Sequence, residues 1–399
     1  MAASLSLTLE LPPAIWQRAT PSLIGLSLWP GQDSEHWLRR IPVMDGSRII
    51  RRSVLTGLIN LIAAPAIVRA ATALSSNETA VPSAADSGSQ DAPAGVAQYP
   101  TYFTSLNGIS PYPVRPPWPV AGVDYRVGVS AGVKLKDPAS IMPNVASRSG
   151  TNPIVLRLEA DDVVLDGYDF TMGGWWQIRS NGHANLTISN SRLQNLCIDI
   201  DTGPLTVKYC EIDGLGSAGE TVFGCLAFLR TGVTSFWRYN WLHSAQNDFI
   251  DLATSDIDAR FNLFDTMGYE AGAHADAIQF AGDGRANNIK ILFNTYVHMV
   301  ATKASPSSFI DLETQLGSGT QVMNGPEVAY NTASNTAVGG LRGSTFFRVS
   351  QVKGTIADAY VHDNFADLTN MIGVISTTPS PGQGYRKSGN TLLRSGQRF

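Results

Sequence analysis

The chain has 399 residues, of which 43% are hydrophobic and only 16% are charged, and 37 of them are glycine. Its formal net charge of −4 excludes the basic surface expected of a nucleic-acid-binding protein. The length allows one large domain or two of ordinary size, and the glycine content favours many turns over many surface helices.

Residues 1–43 contain prolines that interrupt every apolar run, so we interpret them as a non-native or disordered extension. Residues 44–70 show a clearer pattern. A basic region ends in Arg51-Arg52, and an apolar stretch from Val54 to Val68 leads to small residues at a candidate peptidase site. This stretch is shorter than the roughly 20 apolar residues of a membrane-spanning helix, which argues against stable membrane insertion.

The pattern of residues 44–70 resembles a bacterial twin-arginine signal peptide. The resemblance implies recognition by the twin-arginine export machinery and a periplasmic or extracellular location. It also implies that Met44 is the native start. The alternative is an ordinary cytoplasmic N-terminus in which the two arginines occur by chance.

Residues 71–98 consist mainly of Ser, Ala, Gly, Asp and Pro, and this composition predicts a disordered linker. Residues 99–152 interleave aromatic residues with prolines. We interpret this segment as an N-terminal cap, because a repeat domain exposes an apolar end unless something covers it. An aromatic carbohydrate-binding patch is the alternative.

One short pattern then occurs three times, as Gln246–Leu252, His274–Phe280 and Ser307–Glu313. Each copy alternates like a strand with one buried face, so that Ile250 points one way and Asp251 the other. A strand that recurs every 28 to 32 residues indicates a structural repeat.

A second recurring strand lies between these copies and usually ends in Asn. The ends of its copies are Asn190, Cys210, Asn240, Asn262, Asn294, Asn331 and Asn364. Short strands between Gly, Asn and Asp turns, without amphipathic helices, predict an all-β solenoid. We expect the Asn side chains to hydrogen-bond along the stack of coils.

These repeats resemble the right-handed parallel β-helix family, which includes pectate lyases, polygalacturonases and many polysaccharide-active proteins. The resemblance implies a single-stranded right-handed parallel β-helix with capped ends over residues 153–370, followed by a C-terminal cap or tail over 371–399. The coils lengthen after Ala275, and we expect the extra residues to form loops that wall a groove.

Alignment of the three copies predicts two stacked positions, one with Asp248, Asp276 and Ser308 and the other with Asp251, Gln279 and Asp311. Stacked strands are ~4.8 Å apart, so Asp248 and Asp276 would be separated by about 5 Å, as in retaining glycosidases. Asp251 and Asp311 would be about 9.6 Å apart, just beyond the usual inverting range.

The candidate catalytic residues are therefore the carboxyl groups and one histidine near them. They are Asp248, Asp251, Asp276, Asp311 and His274. Residues in the surrounding turns and strands are candidates for binding sugar. They are Gln279, His243, His298, Lys303, Tyr269 and Glu313. Asp248 and Asp276 have a purely structural alternative, because Asp before a strand often caps a turn.

Carboxylates this close need a raised pKa or a bound cation, and Ca²⁺ held by Asp251, Asp276 and Asp311 is the cation expected here. The resemblance to polysaccharide-active proteins implies a polysaccharide substrate. Hydrolysis by a carboxylate pair is the first interpretation, since few basic residues lie near these strands. Ca²⁺-dependent cleavage of a uronate polymer by a lyase is the second, and glycan binding without catalysis is the third.

Overall fold

The computed structural model describes residues 113–399 except 196, 217–224, 254, 281–283, 299, 305, 315–320, 336–342, 351–353, 368 and 379–384. Every described residue belongs to a single compact unit of the chain. The predictions for residues 1–43, 44–70 and 71–98 lie outside the described residues.

The chain winds through three long sheets, and each full coil adds one strand to each of them. Sheet 1 consists of β1 Ala146–Ser149, β2 Ile154–Leu158, β4 Trp176–Arg179, β7 Ile198–Ile200, β10 Cys225–Leu229, β13 Asp248–Leu252, β16 Ala275–Phe280, β20 Pro306–Glu313, β24 Gly343–Ser350 and β28 Met371–Thr378. Sheet 2 consists of β3 Val164–Asp166, β5 Leu186–Ser189, β8 Leu205–Lys208, β11 Thr234–Arg238, β14 Asp256–Arg260, β18 Ile289–Leu292, β22 Glu327–Ala329, β26 Ala359–His362 and β29 Tyr385–Ser388.

Sheet 3 completes the coil on the remaining side. Its strands are β6 Arg192–Gln194, β9 Glu211–Asp213, β12 Trp241–His243, β15 Leu263–Asp265, β19 Thr295–His298, β23 Thr332–Asn335, β27 Phe365–Asp367 and β30 Thr391–Leu392. All neighbouring strands in the three sheets are parallel, except that β1 pairs antiparallel with β2. The parallel β-helix predicted from the sequence is confirmed.

The core is built from side chains that stack in register from coil to coil. One row of sheet 1 contains Ile178, Ile198, Ala227, Ile250, Ile278, Ile310 and Phe347, all fully buried. Full burial of a Val, Leu, Ile or Phe side chain contributes about 1.5–3 kcal/mol. Because the repeat places an apolar residue at this position in each coil, one row of the core extends across seven strands of sheet 1.

The longer coils after Ala275 contain a fourth sheet as well as loops. Its three parallel strands are β17 Arg285–Ala286, β21 Val322–Asn324 and β25 Thr355–Ala357. They lie between the strands of sheets 1 and 2 in the chain. The prediction that the extra residues form only loops is therefore wrong for these segments.

In each coil the turn from sheet 2 to sheet 3 has two recurring positions, one whose side chain lies outside the turn and one whose side chain is buried. The first has a left-handed backbone and is usually aromatic, as at Tyr239 (φ 55°) and Phe261 (φ 61°). The second is usually a buried Asn. Aromatic rings of successive coils stack outside the turn at centroid distances of 4.8 to 5.2 Å: Tyr209, Tyr239, Phe261, Phe293 and Tyr330.

The buried asparagines form the hydrogen-bonded ladder that the sequence predicted. Nδ2 of Asn240 donates to Oδ1 of Asn262 at 2.9 Å, and the same bond recurs through Asn294, Asn331, Asn364 and Asn390. Each Oδ1 also accepts the backbone N–H of the preceding Asn. The ladder thus satisfies backbone and side-chain groups that no water reaches.

Asn190 does not belong to this ladder, and its predicted alignment is wrong by one residue. Ser189 pairs with Lys208, so that Ser191 occupies the position of Cys210. Asn190 takes the left-handed position instead (φ 46°) and donates to Asp166 Oδ1 at 2.9 Å. The Ser-Asn-Ser sequence at 189–191 made the neighbouring residue look like the repeat position.

Residues 113–128 of the predicted cap segment run along the side of the coils. Trp118 packs edge-on against Phe293 and Tyr330, and Tyr125 does the same against Tyr239 and Phe261. The later part of the segment forms β1, which lies against the first parallel strand of sheet 1. The aromatic residues described here pack against the stacked rings of the turn.

The β-helix continues beyond the predicted boundary at residue 370. Strands β28, β29 and β30 form a further coil, and Asn390 extends the Asn ladder. Much of the segment 371–399 is therefore part of the solenoid. No helix in the part of the chain that the structure describes is long and apolar enough to cross a membrane.

Candidate active site

The three copies of the first repeat are adjacent strands of sheet 1, in the register predicted from the sequence. Asp251 pairs with Gln279, which pairs with Asp311, and Asp276 pairs with Ser308. Asp251, Gln279 and Asp311 belong to what we call the outer row, whose members face away from the apolar core. From β2 to β24 it contains Arg157, Arg179, Asp199, Phe228, Asp251, Gln279, Asp311 and Arg348.

Five carboxyl groups gather around this row and are almost completely buried. We call Asp248, Asp251, Asp276, Asp311 and Glu313 the carboxyl cluster. Burial of several acids in one place disfavours their ionised forms, because each charge loses water and repels the next. The cluster is thus an electrostatically costly arrangement that a simple structural role does not require.

Asp248 and Asp276 each hold the backbone of the following coil. The backbone N–H of Asp276 donates to Asp248 Oδ1 at 2.6 Å, and that of Ser308 donates to Asp276 Oδ1 at 2.6 Å. The pairing of β16 with β20 shifts between Ala275 and Asp276. A shift of this kind changes the direction of nearby side chains, and Asp276 contacts both the backbone of the next coil and His274.

The second oxygen of Asp276 faces a histidine. His274 Nδ1 lies 2.9 Å from Asp276 Oδ2, and His274 Nε2 lies 2.8 Å from the Ser307 hydroxyl. The contact with Asp276 raises the pKa of His274, although partial burial opposes the shift. Asp276 is fully buried, whereas the His274 side chain is 52% exposed. The three side chains thus connect the buried cluster to the surface.

Asp311 shares a cation with a neighbouring acid. Arg348, on the next strand, lies 3.4 Å from Asp311 Oδ2 and 2.9 Å from Glu313 Oε2. Burial, reinforced by the charge of Asp276, raises the pKa of Asp311 to about 8 even though Arg348 opposes it. Burial also raises the pKa of Glu313. One guanidinium cannot fully compensate two buried carboxylates.

Asp251 lies two coils from Asp311 and has a different environment. Burial raises the pKa of Asp251 to about 7, while hydrogen bonds from Cys225 and Asp248 oppose the shift. Burial and the charge of Asp251 raise the pKa of Asp248 well above its usual value. Oδ1 of Asp251 and Oδ1 of Asp311 are both buried without a hydrogen-bond partner among the described residues.

One group within the cluster has the composition of a cation site. Ligand atoms of His274, Asp276 and Asp311 all lie within 4.8 Å of one another. Two of these residues belong to the predicted Ca²⁺ set, but His274 stands in the place predicted for Asp251. Ca²⁺ prefers oxygen ligands, and an imidazole suits transition metals better.

The remaining predicted binding residues divide between this site and other places. Gln279 lies between Asp251 and Asp311 on the outer row. Glu313 belongs to the cluster through Arg348. Lys303 is exposed in the turn before β20.

His243, His298 and Tyr269 lie on or beside sheet 3. His243 stacks on Trp241 and contacts Glu211 and Asp213. His298 is buried at the end of β19, and burial lowers its pKa to about 4. Burial and two acids of sheet 3 raise the pKa of Tyr269. The structure does not bring His243 or His298 to the carboxyl cluster, because each coil turns away from sheet 1 between these positions.

Several residues of the site were missed by sequence reasoning. Arg348 follows Asp311 at 37 residues, the same interval that separates Asn294 from Asn331. This shared interval of 37 residues was the feature of the sequence that could have identified Arg348. At the other end of the outer row, Arg230 contacts Asp199 through Nε at 2.8 Å and Nη2 at 3.0 Å.

The environment of the outer row is also more basic than the sequence suggested. Arg179 Nε lies 3.4 Å from Asp199 Oδ2, so two guanidinium groups share one carboxylate. Both of these guanidinium groups lie beside β7, outside the three copies of the repeat. Comparison with protein-family models, with curated proteins and with solved structures gives no significant match to this chain.

Proposed function

We propose that this protein is an exported hydrolase that cleaves a polysaccharide bound along the outer row of sheet 1. Asp311 is the general acid and Asp251 is the general base in this proposal. One observation carries it: two buried outer-row carboxyls flank Gln279, and each leaves one oxygen without a hydrogen-bond partner among the described residues. The sequence resemblance to pectate-lyase-like and polygalacturonase-like proteins agrees with this substrate class.

The roles of the two carboxyls follow from their surroundings. A pKa of about 8 keeps Asp311 protonated at neutral pH, so that it can donate a proton to the leaving glycosidic oxygen. The pKa of Asp251, about 7, leaves it partly ionised and able to take a proton from water. The two positions are two strand spacings apart, about 9.6 Å, just beyond the upper end of the usual separation in inverting enzymes.

Asp248 and Asp276 fit the catalytic pair less well. Asp248 Oδ1 holds the backbone of the next coil. Asp276 Oδ1 accepts the Ser308 backbone N–H, and Asp276 Oδ2 lies at ion-pair distance from His274. We therefore assign the glycosidic reaction to Asp251 and Asp311, with Gln279 as a sugar contact and Glu313 as the residue that positions Arg348.

The test is incubation of the purified chain with neutral and uronic-acid polysaccharides, with Ca²⁺ or with chelator. New reducing ends without absorbance from unsaturated sugars support hydrolysis. Loss of those ends in Asp251→Asn and Asp311→Asn, with unchanged binding to the polymer, supports the assigned roles. Binding without any change in polymer length would instead favour a glycan-binding protein.

A Ca²⁺-dependent lyase is the second candidate. The observation that favours it is the group formed by His274, Asp276 and Asp311. A cation held by the carboxylates of Asp276 and Asp311 would neutralise a uronate carboxylate, and His274, left unligated, would be the base. Unsaturated products that disappear with chelator would support the lyase and contradict the hydrolase.

Export through the twin-arginine machinery is proposed from residues 44–70 alone. Such export places the enzyme in the periplasm or outside the cell, where polysaccharides are found. N-terminal sequencing of the protein from its native cell tests this point. A mature chain that begins near Ala71 supports export, whereas an intact peptide from residues 1–43 contradicts the proposed start at Met44.

A further inference from the structure

Ser307, His274 and Asp276 contact one another in series, and the glycosidic reaction does not use this series. The Ser307 hydroxyl lies 2.8 Å from His274 Nε2, and His274 Nδ1 lies 2.9 Å from Asp276 Oδ2. Both distances fall in the hydrogen-bonding range required of a nucleophile and its base, and of that base and its orienting acid. The order of the three groups is that of a serine hydrolase triad.

The three residues also differ in burial, since only the acid is shielded from water. Asp276 is fully buried, the side chain of His274 is about half exposed, and Ser307 is only partly buried. A nucleophile must be reached by its substrate, whereas the acid that orients the histidine acts best when water is excluded. A surface Ser–His contact alone would not need a buried carboxylate behind the imidazole.

The buried acid is itself held in place. The Ser308 backbone N–H donates to Asp276 Oδ1, which leaves Oδ2 directed at His274. The carboxylate thereby fixes the tautomer in which Nδ1 carries the proton and Nε2 accepts. Ser307 and Ser308 are neighbours in β20, so the strand that supplies the nucleophile also fixes the acid.

We propose that Ser307, His274 and Asp276 hydrolyse ester groups carried by the polysaccharide that the outer row binds. The substrate class is an O-acylated glycan, such as an acetylated one. This inference rests on the proposed function for its polymer substrate, but its chemistry is separate. Asp311 is close to His274, so the acyl group and the cleavable glycosidic bond would belong to the same bound chain.

The reaction follows from the geometry in two steps. Ser307 Oγ attacks the acyl carbonyl carbon while His274 Nε2 takes the hydroxyl proton. The bond between that carbon and the sugar oxygen then breaks, and His274 returns the proton to the leaving sugar hydroxyl. In the second step water, deprotonated by His274, attacks the carbonyl carbon of the acyl-serine. The bond from that carbon to Ser307 Oγ breaks, His274 returns the proton to Ser307 Oγ, and a carboxylic acid is released.

The experiment uses the full chain and a fluorophosphonate, which phosphonylates activated serines without any need for a glycan. We expect mass spectrometry to find the label on Ser307, and expect Ser307→Ala to abolish it. His274→Gln and Asp276→Asn should slow labelling by roughly 10²–10⁴-fold. Ser140→Ala, at an exposed serine, is the matched control and should label like the unchanged protein.

Two further variants distinguish the proposed ester hydrolysis from the proposed cleavage of the glycosidic bond. Asp251→Asn should keep the labelling of Ser307 and the release of acetate from an acetylated polysaccharide, but lose chain cleavage. Ser307→Ala should lose acetate release and keep chain cleavage. Both measurements are made with chelator present, since a metal-dependent deacetylase would lose activity there.

The outcomes that overturn the inference are equally specific. They are an unlabelled Ser307 in a protein with a normal melting temperature, or acetate release that survives Ser307→Ala. If Asp276→Asn unfolds the chain, His274→Gln decides the question, because His274 is half exposed and its loss leaves the coil-to-coil hydrogen bonds of Asp276 in place.

Discussion

Asp248 accepts the backbone N–H of Asp276 through Oδ1 at 2.6 Å, which ties one coil of sheet 1 to the next at the edge of the carboxyl cluster. The same bond recurs one coil later between Asp276 and Ser308. The two residues nevertheless differ in function. Asp276 has a second oxygen that reaches His274, whereas Asp248 faces another acid, Asp251.

Replacement of Asp248 should therefore affect stability more than chemistry. In Asp248→Ala the buried N–H of Asp276 loses its acceptor, and we expect the free energy of unfolding to fall by about 1–3 kcal/mol. Asp248→Asn keeps an acceptor oxygen and should cost less. Urea denaturation of both variants measures the difference. Loss of activity in Asp248→Asn at unchanged stability would instead place Asp248 among the catalytic groups.

The Asn ladder predicts a large effect from a substitution far from the site. Asn294→Ala removes the two hydrogen bonds that Asn294 donates, to Ala259 O and Asn331 Oδ1. It also removes the oxygen that accepts from the backbone N–H and from Nδ2 of Asn262. We expect a loss of about 3 kcal/mol or more, because several buried groups become unsatisfied.

Asn324→Ala is the matched control for this ladder. Asn324 donates a single, exposed hydrogen bond to Asn287. Its replacement should change the free energy of unfolding by no more than about 0.5 kcal/mol. Equal losses in the Asn294 and Asn324 variants would mean that the ladder adds nothing beyond ordinary side-chain contacts.

The register of the site could be predicted from the sequence because the burial of apolar residues determines which residues face outward. Ile250, Ile278 and Ile310 must all point into the core, and this requirement fixes which residues alternate outward. A register shift of one residue would turn all of these isoleucines away from the core. The pairing of Asp251 with Gln279, and of Gln279 with Asp311, follows directly.

Other parts of the site could not be predicted, because their residues do not match the repeat pattern. Arg348 continues the outer row, but it is a cation where the earlier copies have Asp or Gln, so the pattern is hidden. The role of Ser307 depends on a β-bulge at Ala275 and Asp276. Neither the bulge nor the resulting contact between His274 and Ser307 leaves a signature in a single sequence.

The proposed acid and base give a specific kinetic prediction. Asp311→Asn cannot donate a proton to the leaving oxygen, and Asp251→Asn cannot activate water. We expect each to lower kcat for chain cleavage by about 10²–10⁴-fold, the usual contribution of a positioned acid or base. Polymer binding, measured by affinity electrophoresis, should not weaken.

A leaving group that needs no protonation separates the two roles. With an aryl glycoside whose phenol is strongly acidic, Asp311→Asn should recover much of its rate, since the general acid is no longer required. Asp251→Asn should not recover. The same response from both variants would contradict the assignment of acid and base.

Buried carboxyls with raised pKa values should make the fold less stable as the pH rises. The pKa of Asp251 is raised to about 7 and that of Asp311 to about 8, from an ordinary value of 3.8. The folded state then binds more protons than the unfolded state, so the contribution is complete below about pH 4 and is lost through pH 7–8.

The buried His298 has the opposite effect on the pH dependence of stability, and it sets the lower limit of the pH range for the measurement. Burial lowers its pKa from 6.5 to about 4, so its contribution is present above pH 6.5 and is lost as the pH falls through 4. Above pH 6.5 the carboxyls and the raised pKa of His274 all lower the stability as the pH rises. We expect the urea midpoint of the unchanged protein to fall across this range and to fall less steeply in Asp311→Asn, with Asp358→Asn at an exposed position as control. A slope that is the same in all three proteins would show that Asp311 does not titrate there.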